Sequence, residues 1–323
     1  MPRSPAPTQL GLFGAVEAVG AASLAPDAEA LAHALPPGLR LGTSSWSFPG
    51  WRGLVYDRPA DERLLSREGL RAYARCPLLR AVGLDRTHYA TMTAAQLHEL
   101  AAQVPEDFRF LVKAHESCTL VDTPDHPRYG ARRGQENPLF FDPAWATEHV
   151  VGPTAEGLGA KLGVILFQLA PQPVARLGGP RFPERLHAFL SGLPRGVPVA
   201  FELRNPQLLT PGYAAVLAEF GAVHCLSAHP SMPAPAAQAR LTGALEGPQI
   251  ISRWMLQRSK TYEEAKDDYA PFDRLAEPDP TTRAEWVELV QKVASKPVIL
   301  IINNKAEGSS PLSALHLARA LVA

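Results

Sequence analysis

Cysteine is scarce in this chain of 323 residues: Cys76, Cys118 and Cys225 are scattered and odd in number. That excludes a disulfide framework and points to a reducing compartment, with the cytoplasm as the expected location. No Cys-x-x-Cys spacing offers a structural zinc site, and no His-Glu-x-x-His offers a catalytic one. Neither Gly-x-Gly-x-x-Gly after a strand nor Gly-x-x-x-x-Gly-Lys-Ser/Thr occurs, so dinucleotide and P-loop sites lose their main signatures. Net charge is absent too, since 32 Lys and Arg balance 32 Asp and Glu. Bulk electrostatics therefore demand neither nucleic acid nor an anionic membrane, and any such partner must be met by a local patch. No segment approaches the roughly 20 apolar residues that span a bilayer. The Ala-, Gly- and Val-rich stretch from Leu10 to Ala25 follows a lone Arg3 and is broken by Glu17. It does not read as a secretory signal, and membrane association is not expected.

What the chain does have is a recurring segment, an apolar run that stops on polar groups. Examples are Gly163-Val-Ile-Leu-Phe-Gln168, Val199-Ala-Phe-Glu202-Leu-Arg204-Asn205, Phe108-Arg-Phe-Leu-Val-Lys113 and Pro297-Val-Ile-Leu-Ile-Ile-Asn303-Asn304-Lys305. Buried parallel strands carrying polar groups at their C-terminal ends are how an α/β barrel builds a pocket at one mouth. Strands are expected at 39–44, 80–85, 108–115, 161–169, 198–203, 223–229, 249–256 and 297–304. Helix signals fall between them. Thr210-Pro211 supplies an N-cap and first-turn proline, and Gly221 closes the same helix. Asp142-Pro143 and Ser310-Pro311 open others, and Thr282 with Glu285 makes a capping-box pair. Eight such units favour a closed TIM-type (β/α)8 barrel over an open doubly wound sheet. The expected organisation is a flexible arm, residues 1–36, followed by a single barrel domain, residues 37–323. Two connections, Glu116 to Phe141 and Gln257 to Pro280, are long enough to serve as lids or binding loops.

Five ordered motifs carry a resemblance: Leu41-Gly-Thr-Ser-Ser-Trp46-Ser-Phe-Pro-Gly-Trp51, Phe108–Lys113, Leu166-Phe-Gln168-Leu, Phe201-Glu202-Leu-Arg204-Asn205-Pro206 and Asn303-Asn304-Lys305-Ala-Glu307-Gly308. Together they resemble the YecE-like family, DUF72, from about Leu39 to the C-terminus. The resemblance implies a TIM barrel and no particular reaction. Two positions depart from the family pattern. Where the second strand there reads Val-Glu-Ile-Asn-Ser-Thr-Phe-Tyr, this chain has Val82 to Tyr89 with Gly83 in place of the Glu and a carboxylate at Asp85 instead. Where the sixth strand there ends near an Asp, this chain has Ser227-Ala228-His229-Pro230.

The strand ends nominate Glu202, Arg204, Asn304 and Glu307 as catalytic candidates. Trp46, Asp85, Tyr89, Lys113, Gln168, Asn205, Arg253, Asn303 and Lys305 are nominated for substrate binding. Two carboxylates in unlike surroundings split into acid and base, whereas Lys113, Arg204, Arg253 and Lys305 suit a phosphate or carboxylate. The alternative for Glu202 and Arg204 is a structural ion pair, for the Asn pair a strand-end cap, and for Trp46 and Trp51 packing. A divalent metal held among Glu202, His229, His115 and Glu307 is a further, weaker option, and no other cofactor is indicated. Arg128, Arg132 and Arg133, beside Tyr129, make the first long loop a basic lid able to follow phosphates while Trp46 or Tyr89 stacks a base. Finally, Gln9-Leu10-Gly11-Leu12-Phe13 looks like a bacterial sliding-clamp-binding peptide, with Gln9, Leu10, Leu12 and Phe13 as contacts. Three readings stand: a barrel binding or acting on a phosphate-bearing substrate, with DNA in repair or replication as one such substrate; a non-catalytic protein recruited to the clamp; and a sugar or sugar-phosphate isomerase or hydrolase.

Overall fold

The structure is a computed structural model that describes residues 18–323. Eight parallel strands close on themselves in sequence order: β1 (Leu39–Thr43), β2 (Leu79–Leu84), β3 (Arg109–Lys113), β4 (Leu162–Gln168), β5 (Val199–Glu202), β6 (Val223–Ala228), β7 (Ile250–Trp254) and β8 (Val298–Ile302). Each lies within one residue of its expected span at the start and two at the end. Closure is made by β1 and β8 in unbroken register, Leu39 opposite Val298 through Thr43 opposite Ile302. Gly42 is required there, because a Cβ at that position would stand 2.2 Å from the Ala81 carbonyl oxygen of β2.

Side chains alternate along a strand, so one parity of each strand fills the barrel and the other packs under the helices. Ala81, Leu111, Val164, Leu166, Ala200, Val223, Cys225, Ile251, Ile299 and Ile301 form the inner core. Two residues further along, the same parity delivers Lys113, Gln168, Glu202, Ser227 and Arg253 to the C-terminal mouth. The polar ends of the strands are thus a layer of the barrel interior, stacked directly on its apolar filling.

Helices follow the strands: Glu62–Tyr73, Ala94–Ala101, Gly152–Leu158, Phe182–Ser191, Pro211–Phe220, Pro235–Thr242, Pro280–Lys292 and Ser310–Val322. Thr210 caps Pro211–Phe220 through the Tyr213 amide, and Gly221 ends it in the left-handed conformation, φ 67°. Asp142 caps its helix as expected, accepting from the amides of Ala144 and Trp145. Two caps differ. Helix Pro280–Lys292 is capped by Asp279, which accepts from the Thr282 amide, so Thr282 already lies inside the helix and forms no box with Glu285. The last helix begins at Ser310 with Ser309 as the cap residue, and no side chain accepts there from its own cap position.

Residues 18–36, assigned to the arm on composition, instead join the barrel. Val19, Leu24, Ala28 and Leu31 are buried in the main core, Ala28–Ala34 is helical, and Arg319 of the last helix donates twice to Asp27, at 2.8 Å each. Burial of an aliphatic side chain of this size is worth roughly 1.5–3 kcal/mol, enough to hold a short helix against a core. The clamp-like residues Gln9, Leu10, Leu12 and Phe13 lie outside the described residues. The connection from Gln257 to Pro280 is not structureless either: it holds helix Tyr262–Tyr269, opened by a capping box between Thr261 and Glu264. Among the described residues, no helix is long and apolar enough to cross a membrane.

Candidate functional site

At the C-terminal mouth, Glu202 is fully buried and held from three sides. Its Oε1 pairs with the Arg204 guanidinium and accepts from Ser227 Oγ at 3.2 Å, and its Oε2 accepts from Arg253 Nη1 at 2.7 Å. Arg253 reaches further, donating to Gln168 Oε1 at 3.1 Å and to both oxygens of Asp85 at 3.4 Å. Burial pushes the Glu202 carboxyl up, but Arg204 and Arg253 outweigh it and hold the group down at about 2. Arg253 is correspondingly raised, because the charges of Glu202 and Asp85 outweigh its burial. This agrees with the structural ion-pair reading of Glu202 and Arg204, and adds Arg253 and Ser227 to the network. Ser227 was missed from sequence, although its parity with the interior Cys225 marks it.

Lys113 ends β3 in the same layer. Burial lowers its amine to about 8, helped by Arg253 and Arg204 and opposed by Asp85 and Glu202. Its own backbone is fixed, since Thr87 Oγ1 donates to the Lys113 carbonyl at 2.6 Å and His88 Nδ1 lies 3.1 Å from the Ala114 carbonyl. The histidines around the mouth stay neutral at physiological pH. Burial drives His88 to about 3 and His229 to about 4, and lowers His115 as well.

The lid, Glu116 to Phe141, is an ordered structure. Thr123 and Gly134 to Gln135 exchange backbone hydrogen bonds, and Asn137 Nδ2 donates to the carbonyls of Ser117 and Leu120 at 2.8 and 2.6 Å. Beneath it lies a cavity of about 250 Å³ lined by residues that include Tyr89, His115, Glu116, Arg128, Tyr129 and Arg132. Arg128 donates to Glu116 at 2.7 Å and lies over the rings of Tyr129 and Tyr89, at 4.5 and 5.2 Å. Arg132 has no hydrogen-bond or carboxylate partner for its side chain among the described residues. Arg133 departs from the expected set: it pairs with Asp125 at 2.5 Å and does not line the cavity.

Several expected site residues are committed elsewhere. Trp46 is buried, donates through Nε1 to the Leu65 carbonyl at 2.9 Å, and so packs the loop after β1 where a stacking platform was considered. Asn205 bridges both backbone groups of Gln172, at 3.1 and 3.0 Å, tying the loop after β4 to the end of β5. Asn304 accepts from the Ser310 amide and hydroxyl at 2.9 and 2.8 Å, anchoring the start of the last helix. Glu307 is fully buried against the Asp279 amide at 2.7 Å and Arg283, and burial raises its carboxyl. Neither residue exchanges a hydrogen bond or ion pair with Glu202 or Arg204, so the four catalytic candidates divide into two sets. The separation follows from chain direction: after Asn303 the backbone turns away toward helix Pro280–Lys292. Asn303 itself stays on the rim, donating to Ser44 Oγ at 3.2 Å, and Lys305 lies over the Tyr262 ring at 4.1 Å. Among the described residues, no three His, Cys, Asp or Glu side chains gather as metal ligands, so the set Glu202, His229, His115 and Glu307 does not form.

A larger cavity, about 630 Å³, opens at the opposite end between Gly38, Arg40, Arg109, Gly196, Pro248 and Pro297. Its arginines are spent on carbonyls, Arg40 on Pro37 and Asp107 and Arg109 on Glu106 and Phe108. Barrels keep their chemistry at the C-terminal face, and the ionic network is there.

Comparison with known proteins agrees with this frame. Residues 40–323 match the family described as protein of unknown function DUF72. Two crystal structures of a DUF72 family protein from Enterococcus faecalis are similar to this chain, at 18% and 17% identity, with TM-scores of 0.56 and 0.55; each comparison covers 88% of this chain and 97% or 95% of the other. A DUF72 family protein from Thermotoga maritima is similar at 17% identity and a TM-score of 0.51, over 88% of this chain and 98% of that one. At such identities the likeness establishes the fold alone. The curated proteins include no match.

Proposed function

The chain belongs to the DUF72 family, and within that barrel we propose that the C-terminal mouth and its lid bind a phosphate-bearing small molecule as ligand or substrate. The observation that carries this reading is a local charge imbalance in a chain that is neutral overall. Lys113, Arg204, Arg253, Arg128 and Arg132 face Asp85, Glu202 and Glu116, five cations against three carboxylates, while His88, His115 and His229 are held uncharged or driven towards it. A dianion balances that excess. Lys113 and Arg132 are the cations left over after pairing, and Arg132 marks the place where phosphate oxygens would be held by charge-assisted hydrogen bonds. Tyr89, largely exposed on the rim beside Arg128, offers an apolar face for the rest of the ligand.

A small molecule is favoured over DNA because the neighbouring cations are neutralised along the surface: Arg133 of the lid by Asp125, and Arg176, outside the lid, by Asp122. A duplex is followed by a row of free cations, and pairing of this kind erases one. Calorimetric titration with a panel of phosphomonoesters and their dephosphorylated counterparts tests the reading. Saturable binding that needs the phosphate, weakens with salt and weakens in Arg132→Ala is expected. Equal binding of the uncharged counterparts would sink it, and binding of an oligonucleotide alone would transfer the site to nucleic acid.

A further inference from the structure

We infer that Lys113 is a nucleophilic amine, placed to condense with the carbonyl carbon of an aldehyde or ketone bound at the mouth; that the carbonyl compound bears a phosphate rests on the reading above. The inference starts from a comparison within the chain. Of its seven lysines, six have identifiable partners. Lys161 and Lys296 donate to main-chain carbonyls, Lys260, Lys266 and Lys292 meet carboxylates, and Lys305 lies over Tyr262. Lys113 alone has no hydrogen bond, ion pair or ring contact at its amine among the described residues, whereas Lys305, without the first two, has the rings of Tyr262 and Phe272.

This is not for want of carboxylates in the same layer. Glu202 is taken by Arg204, Arg253 and Ser227, and Asp85 by Arg253. The arginines thus strip Lys113 of the partners that ordinarily keep a lysine protonated. The groups facing it are Asp85 and His88 from the end of β2, Glu202 and Arg204 from β5 and Arg253 from β7; the two guanidinium groups lower its proton affinity and the carboxylates only partly restore it, giving a value of about 8 once burial is included. Roughly a quarter of such an amine is free base at pH 7.5, against about one part in a thousand for an ordinary lysine. The strand end itself is clamped through the Thr87 bond to the Lys113 carbonyl, which fixes the main chain from which the side chain leaves at the mouth.

The step balances without an oxidant or a further reactant. The neutral amine adds its lone pair to the carbonyl carbon, the nitrogen loses a proton, and the carbonyl oxygen gains one to give a carbinolamine. A proton from solvent on that hydroxyl lets it leave as water, and the nitrogen lone pair closes to a protonated imine on Nζ. Such an imine withdraws electrons from the adjacent carbon.

The test uses the full chain, borohydride and two probes, glyceraldehyde 3-phosphate and neutral propionaldehyde, with peptide mass spectrometry to locate the secondary amine formed on reduction. Trapping on Lys113 should exceed that on any other lysine by at least about tenfold near neutrality, with a rate that rises to a plateau above pH 8. Lys113→Arg, which keeps the charge, should abolish the adduct and leave the melting temperature near wild type. Preferential trapping of both probes to the same extent supports the amine and removes the phosphate reading. Phosphomonoester binding with Lys113 untouched, or adducts spread over the exposed lysines, overturns the inference.

Discussion

Glu202→Gln replaces a fully buried carboxylate by a neutral group of the same shape and leaves Arg204 and Arg253 facing each other. Breaking a buried ion network in this way costs roughly 3–5 kcal/mol, because two guanidinium charges lose their counter-ion in a place water does not reach. For a domain of this size the melting temperature should fall by roughly 6–20 °C. The pH dependence adds a second check. The folded carboxyl sits at about 2 against an ordinary 4.5 for glutamate, so its contribution, about 3 kcal/mol, is complete above pH 5 and is lost as the pH falls toward 2. By pH 3 about three-fifths of it should be gone. The gap between wild type and variant, followed by urea unfolding from pH 7 to pH 3, should therefore hold to about pH 5 and narrow below it. A variant melting within about 2 °C of wild type, or a gap that stays constant on acidification, would refute the idea that Glu202 is the keystone of the mouth.

Arg132→Ala should leave the melting temperature unchanged, since the side chain has no partner among the described residues, while weakening phosphomonoester binding by about tenfold, the worth of one charge-assisted hydrogen bond; unchanged affinity by calorimetry would remove it from the site. Asn304→Ala should do the reverse, costing about 1–3 kcal/mol by freeing the Ser310 amide and hydroxyl, with ligand affinity intact; lost binding in a stable Asn304→Ala protein would return that residue to the site. The Gln9-Leu10-Gly11-Leu12-Phe13 reading rests on sequence alone, and predicts that a peptide spanning residues 7–16 binds a bacterial sliding clamp in fluorescence titration, with Leu12→Ala and Phe13→Ala together removing most of the energy, roughly 3–6 kcal/mol; absence of saturable binding would end it.

The barrel was legible because two periodicities repeat along the chain. Apolar strands that end on polar residues gave the layers, and caps such as Thr210 and Asp142 gave the helix starts, both of which depend on neighbours in sequence. The polar strand ends nominated Lys113, Gln168, Glu202 and Arg253, and their shared parity places them in one layer of the barrel. It failed where the chain leaves the strand. Asn304 and Glu307 follow β8 by two and five residues, and once the backbone bends, the spacing no longer says which way a side chain points. Trp46 and Asn205 were beyond reach for a related reason: their partners, Leu65 and Gln172, lie 19 and 33 residues away. Residues 18–36 were misjudged on composition, because Ala and Pro say little about flexibility when a core stands ready to receive Leu24 and Leu31. Pairing explains the lid as well. Three arginines looked alike in sequence, and only the neighbours Glu116 and Asp125 separate Arg128 and Arg133 from Arg132, whose charge is left over.

The central claim is that the C-terminal mouth, roofed by the lid, is where an anionic ligand sits. Amide hydrogen exchange followed with and without a saturating phosphomonoester tests it directly, since it reports location and binding together. Slowed exchange at residues 85–89, 113–118 and 120–137, with the strands' N-terminal ends unchanged, is the predicted result. Protection confined to the opposite face, around Gly38, Arg109 and Gly196, would contradict the account and move the site to the larger cavity at the other end of the barrel.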